Sequence, residues 1–387
     1  MHIDIAVVGG GMVGCSAALK LADLGLKVVV LERSEPQLVS VDDEMGLRVS
    51  ALNLASQNLL VSVGAWAGIN AVRHCVYRRL AVWEKETTQV VFDAAEIEQS
   101  HLGHIVENDV VQYSLWQRCL EHPNVECRII QTLESLEQTQ NSATLLVDGV
   151  PVEAGLILAC DGGQSRLRQL AGIGVEGWQY QQQALVVAIE THQPSQDITW
   201  QQMTPTGPRA FLPLAQGKAS LVWYHHADEV KRLKQLPVAH LKSAIKGAFP
   251  NELGEFDIDC VASFPLTRQH AQRYGKGRVV LVGDSAHLIN PLAGQGVNLG
   301  FKDVVALHRC ISKALEQQDD WSSSSVLQRY QSARRLDNGV MMTAMDALYV
   351  GFSNRNPLLA WARQKGLEAV HQVPLARKLA TQYACGI

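Results

Sequence analysis

The first 32 residues constrain the fold more than any other part of the chain. An apolar run, Ile5-Ala6-Val7-Val8, leads into Gly9-Gly10-Gly11-Met12-Val13-Gly14. A helix-like stretch and a second apolar run follow and end on Glu32. In a strand–turn–helix–strand unit, such glycines allow a tight turn and the close approach of a pyrophosphate, and a terminal acid binds ribose hydroxyls. The sequence therefore predicts a Rossmann-like nucleotide-binding unit.

The same glycine spacing occurs again at Gly172-Ile173-Gly174-Val175-Glu176-Gly177. Here a helical stretch over residues 165–171 precedes the glycines, and no strand does. Glycine commonly follows the last turn of a helix. We therefore expect this second copy to be a helix stop and loop, not a second dinucleotide site.

Composition narrows the class of protein. A chain of 387 residues exceeds what one hydrophobic core usually serves, so two or more lobes are expected. The net charge of −4, without a basic cluster, argues against nucleic acid as a partner. Eight cysteines without C-x-x-C pairing are typical of a reduced, cytoplasmic enzyme. No signal peptide or membrane-spanning segment is expected.

The tail over residues 356–387 alternates apolar and basic residues. Two interpretations stay open: an amphipathic helix packed on the body, or a surface that contacts a membrane. We therefore expect a cytoplasmic location, with peripheral contact at the inner membrane as the alternative.

The order of helix-like and strand-like segments along the chain predicts an α/β protein with a discontinuous nucleotide-binding domain. That domain comprises residues 1–73, 111–175 and 277–325. An inserted, mostly antiparallel β domain comprises residues 74–110 and 176–276, and residues 326–387 form a C-terminal helical region.

Two further motifs each place an acid after a buried apolar run. Asp161 begins D-G-G-Q-S-R-L-R, and Asp284 lies in G-D-S-A-H. An acid beside a glycine at a strand end suits the hydroxyls of a ribityl chain, which FAD has and NAD lacks. For either acid taken singly, the alternative is an N-cap on the following helix.

Together, in this order and at these distances, the three motifs resemble the single-component flavoprotein aromatic monooxygenases related to para-hydroxybenzoate hydroxylase. The resemblance covers the whole chain. Segments over residues 77–80, 90–96, 199–202, 207–214 and 290–300 are similar to the ubiquinone-biosynthesis hydroxylases of that class. The resemblance implies FAD as cofactor, NAD(P)H and O₂ as co-substrates, and ring hydroxylation of a polyprenylated benzoquinol. It also leaves room for a multi-enzyme assembly as a partner.

The resemblance further assigns cofactor contacts. Gly9, Gly11 and Gly14 would face the pyrophosphate and Glu32 the adenosine ribose, and Asp284 would bind a ribityl hydroxyl. Asp161 would serve both the pyrophosphate and transient NAD(P)H. The remaining cofactor positions implied by the motifs are Arg48, Gln112, Pro291, Gly294, Gln295, Gly296 and Asn298.

The turn Gly294-Gln295-Gly296 has a physical rationale near the flavin ring. Reduced flavin is anionic, and a helix N-terminus with free N–H groups stabilises an anion. The alternative is a glycine-rich helix start that binds nothing.

Other candidates are weaker. Phe211, Pro213 and Trp223 are predicted to line a substrate cavity, with Trp200 and Tyr224 as further candidates, although aromatic residues at strand spacing are more often plain core. His101 and His104 lack a third ligand at a familiar spacing, so no metal site is expected. His287 is expected to pack beside the cofactor, and no catalytic base can be assigned.

Two rival functions stay open. A flavin-dependent dehydrogenase or reductase, such as a prenyl reductase, would share the FAD motifs, and so would a non-enzymatic FAD-binding scaffold. Disulfide reductases carry a second NAD fingerprint and a redox C-x-x-C, and this chain has neither.

Overall fold

The computed structural model of the protein describes residues 3–85, 89–289, 296–353, 363, 365–366 and 372–387. Within these ranges the strands up to residue 160 are β1 Ile5–Val8, β2 Val28–Glu32, β3 Val49–Asn53, β4 Cys75–Tyr77, β5 Arg79–Trp83, β6 Val90–Asp93, β7 Gly103–Glu107, β8 Val125–Ile129, β9 Leu133–Gln138, β10 Ala143–Val147, β11 Val150–Ala154 and β12 Leu156–Ala159. The later strands are β13 Val175–Thr191, β14 Ile198–Gln202, β15 Arg209–Pro213, β16 Lys218–His226, β17 Phe256–Ala271, β18 Gly275–Lys276, β19 Val279–Leu281 and β20 His287–Leu288.

The helices alternate with these strands along most of the chain. They are α1 Met12–Ala22, α2 Leu54–Ser62, α3 Trp66–Val72, α4 Asn108–Glu121, α5 Arg166–Leu170, α6 Ala227–Lys234, α7 Val238–Ala248, α8 Gly296–Glu316, α9 Ser324–Phe352 and α10 Pro374–Cys385. Short 3₁₀ turns lie at Ala94–Ile97, Asn251–Leu253 and Gly283–Ser285.

A six-stranded sheet in the order β18-β19-β12-β1-β2-β8 carries the first glycine motif. Strand β1 pairs in parallel with both β2 and β12, and β12 pairs in parallel with β19. Helices cover a parallel sheet on both faces, so its strands are continuous apolar runs, and all four residues of β1 are buried. The predicted Rossmann-like lobe is confirmed.

The second large sheet has eight strands in the order β20-β17-β13-β16-β15-β14-β5-β6. Its pairs are antiparallel except β14 with β5. The predicted β-rich texture and the β5–β6 hairpin are therefore confirmed. Helices α6 and α7, which the sequence analysis did not anticipate, pack on one face through Val230, Leu233, Leu241 and Ile245.

Two smaller sheets complete the β structure, β11-β10-β9 and β3-β7-β4. The second joins residues 49–53 to residues 75–77 and 103–107, on both sides of the predicted boundary at residue 73. The three-part division of the chain stays a prediction.

The second glycine motif is a helix stop, as expected, but it is not entirely a loop. Helix α5 ends before Ala171, and Gly172 has a positive φ of 60°. Strand β13 then begins at Val175, so Gly177 lies inside a strand. A Cβ on Gly177 would lie 2.1 Å from the carbonyl oxygen of Arg268, and this close strand approach is why glycine stands there.

The described part of the tail is helical, as predicted, in α9 and α10. Most of residues 354–371 lie outside the described ranges. Among the helices that the structure describes, none is both long and apolar enough to cross a membrane.

Candidate functional site

The first glycine motif is tightly packed on one side and open on the other. Gly9 has a φ of 103°, and a Cβ there would lie 2.4 Å from the carbonyl oxygen of Cys160. A Cβ on Gly14 would lie 1.9 Å from the carbonyl oxygen of Gly9. Around a Cβ on Gly11, by contrast, no atom lies within 4 Å. The motif is therefore a rigid turn with open space on the side of Gly11.

Helix α1 begins at this open space. Gly11 is its N-cap and offers no side-chain acceptor, and its first turn contains no acid. The first helical hydrogen bond runs from the Cys15 N–H to the Gly11 carbonyl oxygen at 3.0 Å. The N–H groups of residues 12–14 therefore have no helical partner and suit an anion such as a pyrophosphate.

Two predicted side chains contact this turn directly. One Glu32 carboxylate oxygen accepts a hydrogen bond from the Gly10 N–H, and the other accepts from the Arg33 N–H at 2.7 Å. The Gln112 amide donates to the Gly10 carbonyl oxygen at 3.3 Å. The structure thus brings Glu32 and Gln112 to the glycine motif.

The Asp161 carboxylate accepts hydrogen bonds from residues at the start of α5. Its Oδ1 accepts from the Ser165 hydroxyl at 2.5 Å, and its Oδ2 accepts from the Leu167 N–H at 3.0 Å. These contacts match the helix-capping alternative. Gly162 beside it has a φ of 80°, with no atom within 4 Å of an added Cβ, so a ligand has room next to Asp161.

Asp284 has a different environment. Its side chain is exposed, and no described residue donates a hydrogen bond to its carboxylate. The surrounding protein raises the pKa of Asp284 by desolvation, while the nearby charges of His287 and Arg48 act to lower it. An accessible carboxylate without a donor among the described residues suits hydroxyl donors from a ligand.

Behind Asp284 lies a buried ion network that the sequence analysis missed. Asp303 of α8 is fully buried and bonds His287 at 2.5 Å, the Gly283 N–H at 3.0 Å and Arg334 of α9 at 2.7 Å. Burial acts to raise the pKa of Asp303, but His287 and Arg334 outweigh it and lower the pKa to about 2. His287 therefore pairs with an acid beneath the motif.

The residues predicted for the flavin ring are only partly described. Pro291, Gly294 and Gln295 lie outside the described residues, and Gly296 is the first residue of α8. The Asn298 side chain accepts from the Ser56 hydroxyl at 2.6 Å and donates to the Ala51 carbonyl oxygen at 2.9 Å. Its side chain thus ties α8 to α2 and β3.

An apolar cavity of about 520 Å³ lies on the face of the eight-stranded sheet opposite α6 and α7. One wall is formed by four residues of α10, namely Ala380, Thr381, Ala384 and Cys385. Another wall is formed by Arg48, Val49 and Ala51. The sheet contributes Ala184, Val186, Thr199, Gln201, Ala210, Leu212, Ser220, Val222 and Tyr224.

The predicted substrate residues Phe211, Pro213 and Trp223 lie on the other face of the sheet. They do not line this cavity, whereas their neighbours Ala210, Leu212 and Val222 do. Side chains alternate across a strand, so Phe211 and Trp223 pack into the core beneath α6 and α7. The two further candidates, Trp200 and Tyr224, both line the cavity.

Arg48 connects the two parts of the site. It lines the cavity, and its guanidinium carbon lies 5.9 Å from the centre of the Phe264 ring. Its charge also acts on Asp284. Arg48 therefore lines the apolar cavity and is also close enough to Asp284 for its charge to act on that carboxylate.

Three histidines cluster away from this site. Nδ1 of His104 lies 3.0 Å from Nδ1 of His74, and its Nε2 lies 3.1 Å from Nε2 of His101. The nitrogens hydrogen-bond to one another in a chain, and burial lowers the pKa of His104 to about 3. Across the described residues, no group of three or more His, Cys, Asp or Glu side chains is arranged to hold a metal ion.

Comparison with known proteins identifies the cofactor. Residues 2–344 match the family described as FAD binding domain. The open space at Gly11, the uncapped N-terminus of α1 and the accessible carboxylate of Asp284 are compatible with FAD. FAD is therefore the cofactor, as predicted.

Full-length relatives agree. The 3-demethoxyubiquinol 3-hydroxylase of Escherichia coli (strain K12) is 44% identical over 385 residues, which cover 99% of this chain and 98% of that protein. The ubiquinone hydroxylase UbiL of Rhodospirillum rubrum is 33% identical, and the match covers 99% of this chain and 89% of that protein. The solved structure of p-nitrophenol 4-monooxygenase PnpA from Pseudomonas putida DLL-E4 superposes with a TM-score of 0.80 at 19% identity, over 99% and 97% of the two chains, and supports the fold.

The prediction of an FAD-dependent monooxygenase that uses NAD(P)H and O₂ is confirmed by these findings. The chain belongs to the FAD binding domain family.

Proposed function

We propose that the protein hydroxylates the ring of a polyprenylated demethoxybenzoquinol in ubiquinone biosynthesis. The observation that carries this proposal is the apolar cavity of about 520 Å³ lined by Arg48, whose charge also acts on Asp284. A cavity of this size is typical of a site for one small, mostly apolar molecule. The 44% identical relative named 3-demethoxyubiquinol 3-hydroxylase narrows the substrate class.

The cofactor would extend along residues already described. The N-terminus of α1 and Gly11 would bind the pyrophosphate, Glu32 the adenosine ribose, and Asp284 a ribityl hydroxyl. Arg48 and Gln112 would complete its contacts. Bound FAD supplies the redox chemistry, in which NAD(P)H provides two electrons and O₂ provides the oxygen atom that enters the ring.

The chain itself would hold the ring and exclude water. The cavity floor is a flat β-sheet surface, and α10 covers it with Ala380, Ala384 and Cys385. A closed apolar site limits the access of water to the reacting atoms.

No strong base is needed in this scheme, because a quinol ring is already electron-rich. The phenols on the cavity wall are not bases either. Burial raises the pKa of both Tyr77 and Tyr224 above the ordinary tyrosine value of 10.0. Both hydroxyls therefore stay protonated and can act only as neutral hydrogen-bonding groups.

A long prenyl tail exceeds the cavity and has to leave it. The outer face of α10 exposes Leu375, Leu379 and Tyr383 to solvent, while the inner face lines the cavity. We infer that the tail passes beside α10 and that the protein collects its insoluble substrate from a membrane surface or within an assembly of pathway enzymes.

The test is product analysis with purified protein, NAD(P)H, O₂ and a short-chain demethoxybenzoquinol. Mass spectrometry should find one added oxygen atom per NAD(P)H consumed, and Asp284→Ala should lose both bound flavin and product. Consumption of NAD(P)H without hydroxylated product would favour a dehydrogenase or reductase instead.

Removal of the protein from its host should give the same answer. The demethoxy quinone should accumulate, with little or no ubiquinone. Accumulation of an earlier precursor would indicate a hydroxylase that acts at another ring position, and normal ubiquinone would exclude this substrate class.

A further inference from the structure

Ser220 is a buried hydroxyl on the wall of the cavity. It lies in β16 and is only 2% exposed. Its Oγ has no hydrogen-bond partner among the residues that the structure describes. Burial of a hydroxyl without a partner destabilises a folded protein, so this position needs an explanation that the fold alone does not supply.

Its neighbours on the sheet cannot satisfy it. Ser220 pairs with Leu212 of β15 on one side and with Ala188 of β13 on the other. Thr199, the next hydroxyl on this face, already donates to the Phe211 carbonyl oxygen at 2.7 Å. The proton of Ser220 is therefore available to a ligand in the cavity.

We infer that the Ser220 hydroxyl donates a hydrogen bond to one oxygen substituent of the substrate ring and so determines which rings are bound and how they are oriented. This inference rests on the proposed function. The rest of the cavity floor beside Ser220 is apolar, with Leu212, Val222 and Ala210. A buried donor that the described residues leave without a partner discriminates strongly, because a ring without the matching oxygen leaves it unpaired.

Replacement by alanine should therefore separate stability from binding. Ser220→Ala should leave the melting temperature of the protein unchanged or raise it, because it removes an unsatisfied buried group. The KM for the quinol should rise about threefold to tenfold, the range for one neutral hydrogen bond. More NAD(P)H should be oxidised per product formed, because the ring is less well oriented. Ser220→Thr, which keeps the hydroxyl, should restore coupling.

The matched control is Ser263→Ala on the neighbouring strand β17. Ser263 pairs with Leu185, whose side chain belongs to the core beneath α6 and α7. This change removes a hydroxyl from the opposite face of the same sheet, so the KM for the quinol and the coupling ratio should stay at wild-type values.

The decisive measurement compares the KM values of wild type and Ser220→Ala for the parent quinol and for a series of analogues, each of which lacks one ring oxygen. Wild type and Ser220→Ala should differ on the parent quinol and should have the same KM for one of the analogues. An unchanged KM in Ser220→Ala, or an equal loss on every analogue, would overturn the role of Ser220. Failure of wild type to hydroxylate the parent quinol would instead overturn the proposed function.

Discussion

The same glycine spacing occurs twice in this chain, and the two copies have opposite surroundings. Residues 9–14 follow a buried strand and begin α1, whereas residues 172–177 follow α5 and begin β13. Glycine is required at positions 9 and 14 because a side chain there would collide with nearby backbone atoms. Gly172 is required by a positive φ of 60°, and Gly177 by the approach of Arg268.

The electrostatic consequence differs as well. The first copy presents the N-terminus of a helix, where unpaired N–H groups favour an anion. The second copy follows the C-terminus of a helix, where unpaired carbonyl groups favour a cation, and Lys276 donates to the Gly172 carbonyl oxygen at 3.1 Å. A glycine pattern therefore predicts a nucleotide site only when the order of strand and helix around it is right.

The largest expected effect comes from the buried support of the first copy. A Cβ on Gly283 would lie 3.2 Å from the side chain of Val13 in α1, and Asp303 bonds the Gly283 N–H. Asp303→Asn removes the fully buried carboxylate that pairs with Arg334 and His287, leaves Arg334 its ion pair with the partly exposed Asp337, and should lower the free energy of unfolding by about 3 kcal/mol. Urea unfolding at neutral pH measures this. Lys276→Ala beside the second copy, a change at an exposed residue, should cost under about 0.5 kcal/mol.

The Asp303 effect should depend on pH. The pKa of Asp303 in the folded protein, about 2, lies below its ordinary value of 3.8. The ionised carboxylate therefore stabilises the fold above about pH 4, and that contribution is lost as the pH falls towards 2. The difference between wild type and Asp303→Asn should shrink over this range. A difference that stays constant down to pH 2 would contradict the assigned ion pair.

A smaller and more selective effect is expected at Gly11. The space around an added Cβ is empty, and its φ of −72° is accessible to alanine. Gly11→Ala should therefore leave the stability of the flavin-free protein nearly unchanged, while the methyl group occupies the space predicted for the pyrophosphate. We expect the Kd for FAD, measured by flavin fluorescence, to rise at least about tenfold, which is 1.4 kcal/mol.

The control is Gly247→Ala, also at a glycine with nothing within 4 Å, in α7. It should stabilise the protein by about 0.5–1 kcal/mol, since alanine favours a helix, without change in FAD affinity. Equal FAD affinity in the Gly11→Ala variant and wild type would remove Gly11 from the cofactor site.

Local patterns were sufficient for the first copy because its function depends on backbone geometry over a few consecutive residues. Glu32 ends the same strand–turn–helix–strand unit, whereas Gln112, 102 residues from Gly10, was assigned only through the family resemblance. The cavity face of the eight-stranded sheet was not predictable in this way. The alternation in β15 and β16 separates two faces but does not say which one packs under helices, and α6 and α7 were themselves not anticipated. Phe211 and Trp223 were therefore predicted to line a cavity, whereas their side chains pack against α6 and α7, on the face opposite the cavity described above.

Asp303 escaped prediction for another reason. It lies in the amphipathic helix α8, and its partners His287 and Arg334 are 16 and 31 residues away in the sequence. An acid on the buried side of an amphipathic helix is the signal that could have indicated it. The contacts of Asp161 with the start of α5, by contrast, follow the capping alternative that its position before a helix had already raised.

The smallest effect is expected at Gly174, in the second copy. A Cβ there would lie 2.7 Å from the side-chain oxygen of Gln272, the end of a flexible side chain that can move aside. If the second copy is only a helix stop, Gly174→Ala should leave the KM for NAD(P)H within about twofold of wild type, well under the tenfold that a loss of about 1.4 kcal/mol of binding would cause. Bound FAD should also be unchanged, because Gly174 belongs to none of the three flavin motifs. Steady-state oxidation of NAD(P)H, with flavin content measured in the same preparation, provides both values. A large rise confined to the KM for NAD(P)H would show that the two glycine copies are functionally alike after all, and the order of strand and helix would then not be what distinguishes them.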